Sequence, residues 1–230
     1  MTVGAAAAVS AESVDAADAR RSYWNAFYAS ARVQDVPAEP SRFGRWVHDR
    51  LGGTGSIVEL GCGSGRDTFW FASQGHDVRA FDFAASAVAR VTATAASRGM
   101  TVPVAELDLG QADDVRSAAA SVLAGGAPDA VYARFLLHSL DDAGQEGLYR
   151  FAATTLSHGG LLFLEFRAQQ DEQAAHLFGD DHFRAYLHAS DVVKAVESFG
   201  GQVLEAETRQ GWAPYRTEDP FVTRIVARLG

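Results

Sequence analysis

The sequence has few of the residues that mark a disulfide-bonded, membrane-spanning or nucleic-acid-binding protein. Its 230 residues include one cysteine, Cys62, which excludes a disulfide framework and a zinc site built from cysteines. Lys194 is the only lysine, and 29 acidic residues against 20 basic ones give a net charge of −9, which argues against nucleic acid as a main partner. The first apolar run, 3–9, has no basic residue before it. We therefore expect neither a signal peptide nor a membrane span, and predict a cytoplasmic protein.

The remaining composition and its periodicity predict one α/β domain. Hydrophobic residues make up 47% and charged residues 21% of the chain, as in globular proteins. Five apolar strands alternate with helices between residues 56 and 166, which predicts a parallel sheet covered on both faces. The predicted strands are 57–60, 78–81, 102–107, 130–135, 161–166, 202–208 and 221–229. The last two have no helix between them, so they should pair antiparallel. The predicted helices are 21–32, 41–51, 66–74, 84–97, 113–123, 143–156 and 190–198.

The N-terminal region is predicted in two parts. We expect residues 1–18, rich in alanine and serine, to be flexible, and residues 19–230 to form the single domain. Helix 21–32 carries aromatic residues at spacings of three and four, which places their rings on one face. They are Tyr23, Trp24, Phe27 and Tyr28. This helix either packs against the edge of the sheet or, as part of a helical segment 19–52, covers a binding pocket as a lid.

A glycine-rich turn follows the first predicted strand and opens a helix, which is the context in which such a turn binds a ligand. Gly61 permits a sharp turn, Gly63 lets a ligand lie against bare backbone, and Gly65 allows the strand and helix to pack closely. Two acids end the next two strands: Asp82, 21 residues after Gly61, and Asp108. All lie at the carboxyl ends of neighbouring parallel strands, where open α/β sheets bind ligands.

The spacing of the turn favours a cationic ligand over a dinucleotide. A pyrophosphate favours G-x-G-x-x-G and an uncharged surrounding, because the helix dipole supplies the positive charge. Here the spacing is G-x-G-x-G, and Glu59 precedes it. A carboxylate would repel a phosphate but attract a sulfonium or ammonium group.

With these acids and the stretches 129–140 and 159–166, the segment 57–67 resembles the class I S-adenosylmethionine-dependent methyltransferases. Within that family, the GSGRD sequence and the N-terminal Y-W-N segment are similar to small bacterial enzymes, including the tellurite and thiopurine types. The resemblance implies a Rossmann-like seven-stranded sheet whose last strand is antiparallel. It also implies S-adenosylmethionine as cofactor and S-adenosylhomocysteine as product.

The same resemblance implies roles for individual residues. Asp82 would bind the ribose, Phe83 would pack on adenine, and Asp108 would accept a hydrogen bond from the adenine amino group. Glu59 and the three glycines of the turn would surround the methionine portion. The further cofactor contacts implied are Tyr23, Trp24, Cys62, Arg66, Asp67, Leu109 and Arg134.

Two residues, one at the end of the fourth predicted strand and one after it, are candidates for catalysis. Methyl transfer from a sulfonium is an in-line displacement that depends on positioning and on exclusion of water, although a hydroxyl acceptor of high pKa also needs a base. His138 could take that proton near neutral pH. A histidine that holds the loop through nearby backbone explains it equally well. Arg134 ends an apolar strand, where a charge needs a partner in the protein or in a ligand.

Several residues near the predicted acceptor side are candidates for substrate contact. They are Tyr28, Glu165, Arg167, His182, Arg184 and Tyr186. Glu165 and Arg167 point to the same side of a strand, so an ion pair between them is the alternative. Arginines 134, 167, 184, 209 and 216 suggest an anionic substrate, although solvated surface arginines account for them as well. Because histidines 176, 182 and 188 are spaced by six, we expect no metal site.

The function that these features predict is transfer of a methyl group from S-adenosylmethionine to a small molecule, with oxygen as the acceptor atom. An S- or N-methyltransferase of the tellurite or thiopurine type is the first alternative. A non-catalytic nucleoside-binding domain is the second, and a nicotinamide-dependent reductase would need the dinucleotide spacing. We expect a monomer or homodimer that does not bind nucleic acid or membranes.

Overall fold

A seven-stranded sheet organises the protein, as a computed structural model shows. The structure describes residues 4–30, 36–172 and 185–230, with the side chains of the first helix described from residue 17. The strands are β1 Ser56–Leu60, β2 Asp77–Asp82, β3 Val104–Glu106, β4 Ala130–Arg134, β5 Leu161–Arg167, β6 Gly201–Arg209 and β7 Val222–Leu229. Their order is β3-β2-β1-β4-β5-β7-β6. β1 to β5 are parallel, and β7 is antiparallel to both of its neighbours, which confirms the predicted fold class.

The helices follow the predicted alternation. They are α1 Gly4–Ala29, α2 Arg42–Arg50, α3 Arg66–Ser73, α4 Ala85–Ser97, α5 Ala112–Ala124, α6 Asp142–Thr155 and α7 Ala189–Ser198. The predicted boundaries agree to within two residues except at α1, which begins at Gly4 rather than at Arg21. Its alanine-rich start has high helix propensity, which explains the longer helix. The predicted end of that helix at Arg32 lies outside the described residues. The flexibility of residues 1–18 stays a prediction.

The core lies on both faces of the sheet because successive residues of a strand point to opposite sides. Tyr132 and Phe163 are partners in register and pack on one face with Phe43 of α2 and Phe71 of α3. The next pair, 133 and 164, contributes to the larger cluster under α5, α6 and α7. The two layers hold the strand ends rigidly at the edge where the glycine turn lies.

Among the described residues no helix is both long enough and apolar enough to cross a membrane.

Candidate functional site

The glycine turn between β1 and α3 can exist only with residues that lack side chains. Gly61, Gly63 and Gly65 have φ values of 71°, 54° and 78°, in the left-handed region that glycine adopts without strain. A Cβ on Gly63 would lie 2.6 Å from Tyr28 Oη, and one on Gly65 would lie 2.6 Å from the Phe69 ring. The predicted roles of Gly61 in the turn and of Gly65 in close packing agree with the geometry, whereas the space beside Gly63 is taken by Tyr28 and its contact with a ligand stays a prediction.

Asp82, at the end of β2, fastens this turn to the next strand. Its two carboxylate oxygens accept hydrogen bonds from the backbone N–H of Gly63 at 2.8 Å and of Ala84 at 2.9 Å. Burial raises the pKa of Asp82, and these backbone hydrogen bonds oppose the rise. The carboxylate is thereby held in one orientation at the edge of the cavity, where ribose hydroxyls could donate to it.

Glu59, on β1 directly before the turn, is a buried acid with a neighbour of the same charge. Thr68 Oγ1 donates a hydrogen bond to its carboxylate. Burial, and then the charge of Asp67, raise the pKa of Glu59 well above its usual value. A positively charged ligand beside Glu59 would lower that pKa again, so the site favours a cation energetically.

Asp67, predicted as a cofactor contact, mainly joins α2 and α3 to the sheet. Its carboxylate accepts hydrogen bonds from the backbone N–H and the Oγ of Ser41 and from Tyr132 Oη, each at 2.7 Å. Ser41 also caps α2, because its Oγ accepts from Gly44 N–H at 2.8 Å. Asp67 lines the cavity, but its oxygens already have protein partners, so its contact with the cofactor stays a prediction.

Asp108 and Phe83, the predicted adenine contacts, also interact with α1. The Arg21 guanidinium donates to Asp108 at 2.8 Å and lies 4.1 Å from the centre of the Phe83 ring. Asp108 also accepts from Gly110 N–H at 2.9 Å. Arg21 was not expected from the sequence, since one exposed arginine on a helix carries no signal of its own.

Helix α1 borders the cavity, and its function as a lid stays a prediction. The rings of Trp24 and Tyr28 line the cavity and stack on each other with centroids 6.0 Å apart. Tyr23 packs edge-on against Trp24 and is not among the described residues that line the cavity. Asn25 holds α1 to α4, because its side-chain oxygen accepts from Ser86 N–H at 3.0 Å and its carbonyl accepts from Ser86 Oγ at 2.9 Å.

Arg134, at the tip of β4 beside the glycine turn, belongs to a row of charges across three strands. Glu165 of β5 is the register partner of both Arg134 on β4 and Arg224 on β7. Its two oxygens accept from Arg134 Nε at 2.9 Å and from Arg224 Nε at 2.8 Å. The ion pair considered between Glu165 and Arg167 is thus replaced by pairs to these arginines. Glu165 is 1% exposed and is not among the described lining residues, so the structure gives no support to its predicted substrate contact.

Arg167 pairs with acids on two other segments. Its guanidinium donates to Asp171, in the short 3₁₀ turn Gln169–Asp171, and to Glu218 at 2.6 Å. These pairs tie the end of β5 to the segment between β6 and β7. Arg167 therefore lines the cavity with its charge already compensated by the protein.

His138, in the 3₁₀ turn Leu137–Ser139 after β4, lines the cavity and is held by backbone. Its Nδ1 accepts a hydrogen bond from Arg167 N–H at 3.2 Å. A neutral ring that accepts at Nδ1 carries its hydrogen on Nε2. Phe135, whose ring centre lies 5.5 Å from that of His138, has a φ of 55°, which is rare for a residue with a side chain. Such strain is typical of functional sites.

These segments enclose one continuous cavity of about 610 Å³. One half is bounded by the glycine turn and the tips of β2 and β3. The other half is bounded by the ends of β4 and β5 and by the loop between β6 and β7, where the sequence analysis named Arg216 but none of the residues that line the cavity. Its lining residues are Trp212, Ala213, Pro214, Tyr215, Glu218 and Pro220. Aromatic and proline residues of a long loop after an edge strand were the only available signal. A volume of this order accommodates a cofactor together with a small acceptor.

Most of the predicted site residues are brought together here. Those that line the cavity are Trp24, Tyr28, Glu59, Gly61, Cys62, Gly63, Arg66, Asp67, Asp82, Phe83, Asp108, Leu109, Arg134, His138 and Arg167. Gly65 and Tyr186 are not among the described lining residues, and His182 and Arg184 lie outside the described part of the chain. Within the described ranges no group of three or more histidine, cysteine, aspartate or glutamate residues could hold a metal ion.

Comparison with known proteins agrees with this geometry. Residues 57–160, which include the glycine turn and β1 to β4, match the family described as methyltransferase domain. The sequence matches none of the curated proteins at a significant level.

Solved structures share the fold at low sequence identity. The Burkholderia thailandensis 1,6-didemethyltoxoflavin-N1-methyltransferase with bound S-adenosylhomocysteine has a TM-score of 0.66 and 16% identity over 95% of this chain and 89% of that one. The glycopeptide N-methyltransferase MtfA has a TM-score of 0.61 and 19% identity over 84% and 97%. The [4+2]-cyclase SpnF has a TM-score of 0.62 and 16% identity over 82% and 80%.

The predicted cofactor fits the residues present: a backbone turn of glycines, oriented acids at two strand tips, and Arg66 and Arg134 beside the turn. The matched methyltransferase domain over residues 57–160 and the seven-stranded topology support a class I S-adenosylmethionine-dependent methyltransferase.

Proposed function

We propose that this methyltransferase acts on a small molecule and that the acceptor atom is oxygen. The observation that carries the proposal is the shape of the cavity, whose second half, beyond the glycine turn, is lined by Phe135, Trp212 and Tyr215. A flat or apolar small molecule suits such a lining, whereas a polymer would need an open groove. When bound, S-adenosylmethionine supplies an electrophilic methyl group on a positively charged sulfur.

The protein contributes positioning and exclusion of water. Asp82 is held by two backbone N–H groups in an orientation that suits ribose hydroxyls, and Trp24 and Tyr28 cover the cavity from α1. Methyl transfer adds little charge that must be stabilised, so holding the acceptor near attack distance supplies much of the reduction in the barrier.

His138 would contribute as a hydrogen-bond donor. Because its Nδ1 accepts from Arg167 N–H, the neutral ring carries the hydrogen on Nε2 and can donate to an acceptor oxygen. The acidic hydroxyl of a phenol or an enol loses its proton far more easily than an alcohol does, so a hydrogen-bond donor can assist it without a strong base. We therefore favour an acceptor of that kind.

The hypothesis of a strongly anionic acceptor receives less support. Arg167 is paired with Asp171 and Glu218, and Arg209 lies 3.8 Å from Glu207. Their charges are compensated within the protein, which lowers the electrostatic attraction for a second anion. Arg134 and Arg66 remain at the cavity, where the carboxylate of the cofactor would also bind.

A nitrogen acceptor is the second candidate. The engagement of His138 Nδ1 favours it, because a nitrogen lone pair can attack without a base. Two of the proteins with a similar fold are N-methyltransferases by name.

The test is turnover of purified protein with S-adenosylmethionine and four matched sets of acceptors: phenols and carboxylic acids, N-heterocycles, thiols, and tellurite. We expect release of S-adenosylhomocysteine and O-methylated product with the first set. N-methylation alone would establish the second candidate, and S-methylation or tellurite methylation alone would overturn both. Cofactor binding without methylation of any acceptor would favour the non-catalytic alternative.

A further inference from the structure

A row of three charged side chains crosses the sheet where a row of apolar residues would be expected. Arg134, Glu165 and Arg224 are direct neighbours in register on β4, β5 and β7. Glu165 and Arg224 are 1% and 6% exposed, so one buried carboxylate serves two arginines. Buried charges are unfavourable unless they are paired, and this row carries a net charge of +1.

On its other side Arg224 is the register partner of Glu207 on β6, an exposed acid whose charge water screens and which lies 3.8 Å from Arg209. Arg224 Nε and Nη2 both lie 2.8 Å from Glu165 Oε2. The guanidinium is enclosed by aromatic rings, with centroids at 4.3 Å for Trp212, 5.1 Å for Phe43 and 5.5 Å for Trp46. Aromatic faces stabilise a cation but do not neutralise it.

Arg134 is the member of the row that reaches the cavity. Its side chain is 18% exposed and lines the cavity, and its Nε is the group that donates to Glu165. The two Nη groups remain on the outer side of the planar fork, a geometry that suits a carboxylate. Arg66 lines the same region, and burial and the neighbouring Arg134 cation lower the pKa of Arg66. The positive charges of Arg134 and Arg66 therefore face the cavity, which the acids Glu59 and Asp67 line as well.

We propose that Glu165 and Arg224 are positioning residues, which act through Arg134 to bind the carboxylate of the methionine portion of S-adenosylmethionine. Glu165 fixes the orientation of the Arg134 guanidinium by taking its Nε hydrogen. Arg224 shares the charge of Glu165, so that Arg134 is not fully neutralised and can attract a carboxylate. The inference rests on the proposed function in one respect, namely that the chain binds this cofactor.

The test compares two ligands by calorimetry: S-adenosylhomocysteine, which has the carboxylate, and 5′-methylthioadenosine, which has the same nucleoside without it. The first variant is Arg224→Met, which keeps an apolar side chain among the aromatic rings and lowers the charge of the row from +1 to 0. We expect the affinity for S-adenosylhomocysteine to fall about 10-fold or more and the affinity for 5′-methylthioadenosine to stay within about twofold.

The double variant Glu165→Gln with Arg224→Met separates the effect of the net charge of the row from the effect of side-chain packing. It restores the net charge of +1, now on Arg134 alone, so it should recover part of the affinity for S-adenosylhomocysteine. If both residues only supported the fold, the double variant would bind worse than the single one. Arg224→Lys, which keeps the charge, should lose less affinity than Arg224→Met.

Arg228→Met is the matched control, since Arg228 lies on the same strand but is exposed at the opposite end of the sheet, where it donates to Gly159. It should leave both affinities unchanged. Equal weakening of both ligands by Arg224→Met, or no change in either, would overturn the proposal. Failure of the unaltered protein to bind S-adenosylhomocysteine would instead overturn the assignment of the cofactor.

Discussion

The two halves of the cavity are built in different ways. The cofactor half comes from three short runs of residues, each directly after one of three adjacent strands, and its main contacts are backbone N–H groups and the acids that accept from them. The acceptor half depends on ion pairs between side chains of different segments, such as Arg167 and Glu218, which are 51 residues apart. The first half is determined by local turn geometry and the second by long-range ion pairs and packing. The halves should therefore respond differently to substitution.

The largest effect is expected from Gly63→Ala in the cofactor half. The new methyl group would lie 2.6 Å from Tyr28 Oη and would hold a side chain at a left-handed φ. Overpacking of this kind costs about 1–3 kcal/mol and left-handed strain about 1–2 kcal/mol. We expect affinity for S-adenosylhomocysteine, measured by calorimetry, to fall roughly 100-fold.

Two further variants identify the cause of that loss. Gly75→Ala introduces the same strain at a φ of 92° where no atom lies within 4 Å, so it should lower the unfolding free energy without changing cofactor affinity. Combining Gly63→Ala with Tyr28→Phe removes the hydroxyl that the methyl group meets and should recover part of the affinity. An equal loss of affinity in Gly75→Ala would show that the loss does not depend on the glycine turn, and would contradict the role of that turn in cofactor binding.

A smaller effect is expected from Asp82→Asn, in the same half. The amide keeps the shape of the carboxylate but can accept at only one of the two positions now used by Gly63 and Ala84 N–H. Hydrogen bonds to charged groups contribute about 1.5–3 kcal/mol, so affinity for S-adenosylhomocysteine should fall roughly 10- to 100-fold. Unchanged affinity would remove Asp82 from the cofactor site.

His138→Gln tests the acceptor half. If His138 donates a hydrogen bond, the variant should lower kcat about 10-fold while KM for the cofactor and the shape of the pH–rate profile stay the same. If His138 is instead the general base, the variant should also abolish the limb of the profile that reports its ionisation. The measurement is kcat over pH 5 to 9 with an acceptor that itself does not titrate in this range.

The smallest effect lies outside both halves, at the buried His76. Its Nε2 lies 2.9 Å from His48 Nδ1, and its Nδ1 lies 3.2 Å from the Gly55 carbonyl oxygen. Burial lowers the pKa of His76, although the Gly55 contact opposes the shift. The unfolded chain then binds more protons, so this residue makes stability fall as the pH drops below about 6.5.

His76→Gln should flatten that part of the pH dependence of unfolding, measured by denaturant titration at several pH values, with little change in cofactor affinity. An acidic limb as steep as that of the unaltered protein would show that other groups cause it.

The sequence predicts the fold well, and most of the predicted cofactor residues line the cavity, because each of them directly follows a recognisable strand. Alternation of apolar strands and helices predicts β1 to β5. The three glycines from Gly61 to Gly65 indicate a turn with positive φ values. Asp82 and Asp108 could be found from their positions at strand ends. Their interactions with α1 could not, because Arg21 has no distinctive local pattern.

The acceptor half was harder to predict because its contacts depend on pairing between strands. The sequence suggested an ion pair between Glu165 and Arg167 on one strand. In the register of β4, β5 and β7, however, the partners of Glu165 are Arg134 and Arg224. Arg224 is a charged residue within the apolar run of β7, which indicates a buried ion pair. Its partner can be named only when the neighbouring strand is known. Likewise, nothing local shows that Trp212 lies over Arg224.

The most direct test is titration of the purified protein with S-adenosylhomocysteine and, separately, with NADH. We predict saturable binding of the first at one site per chain, with 5′-methylthioadenosine competing for it, and no binding of the second. Heat of binding with NADH, or none with S-adenosylhomocysteine, would contradict the conclusion that this backbone turn and its acids hold a sulfur-containing nucleoside.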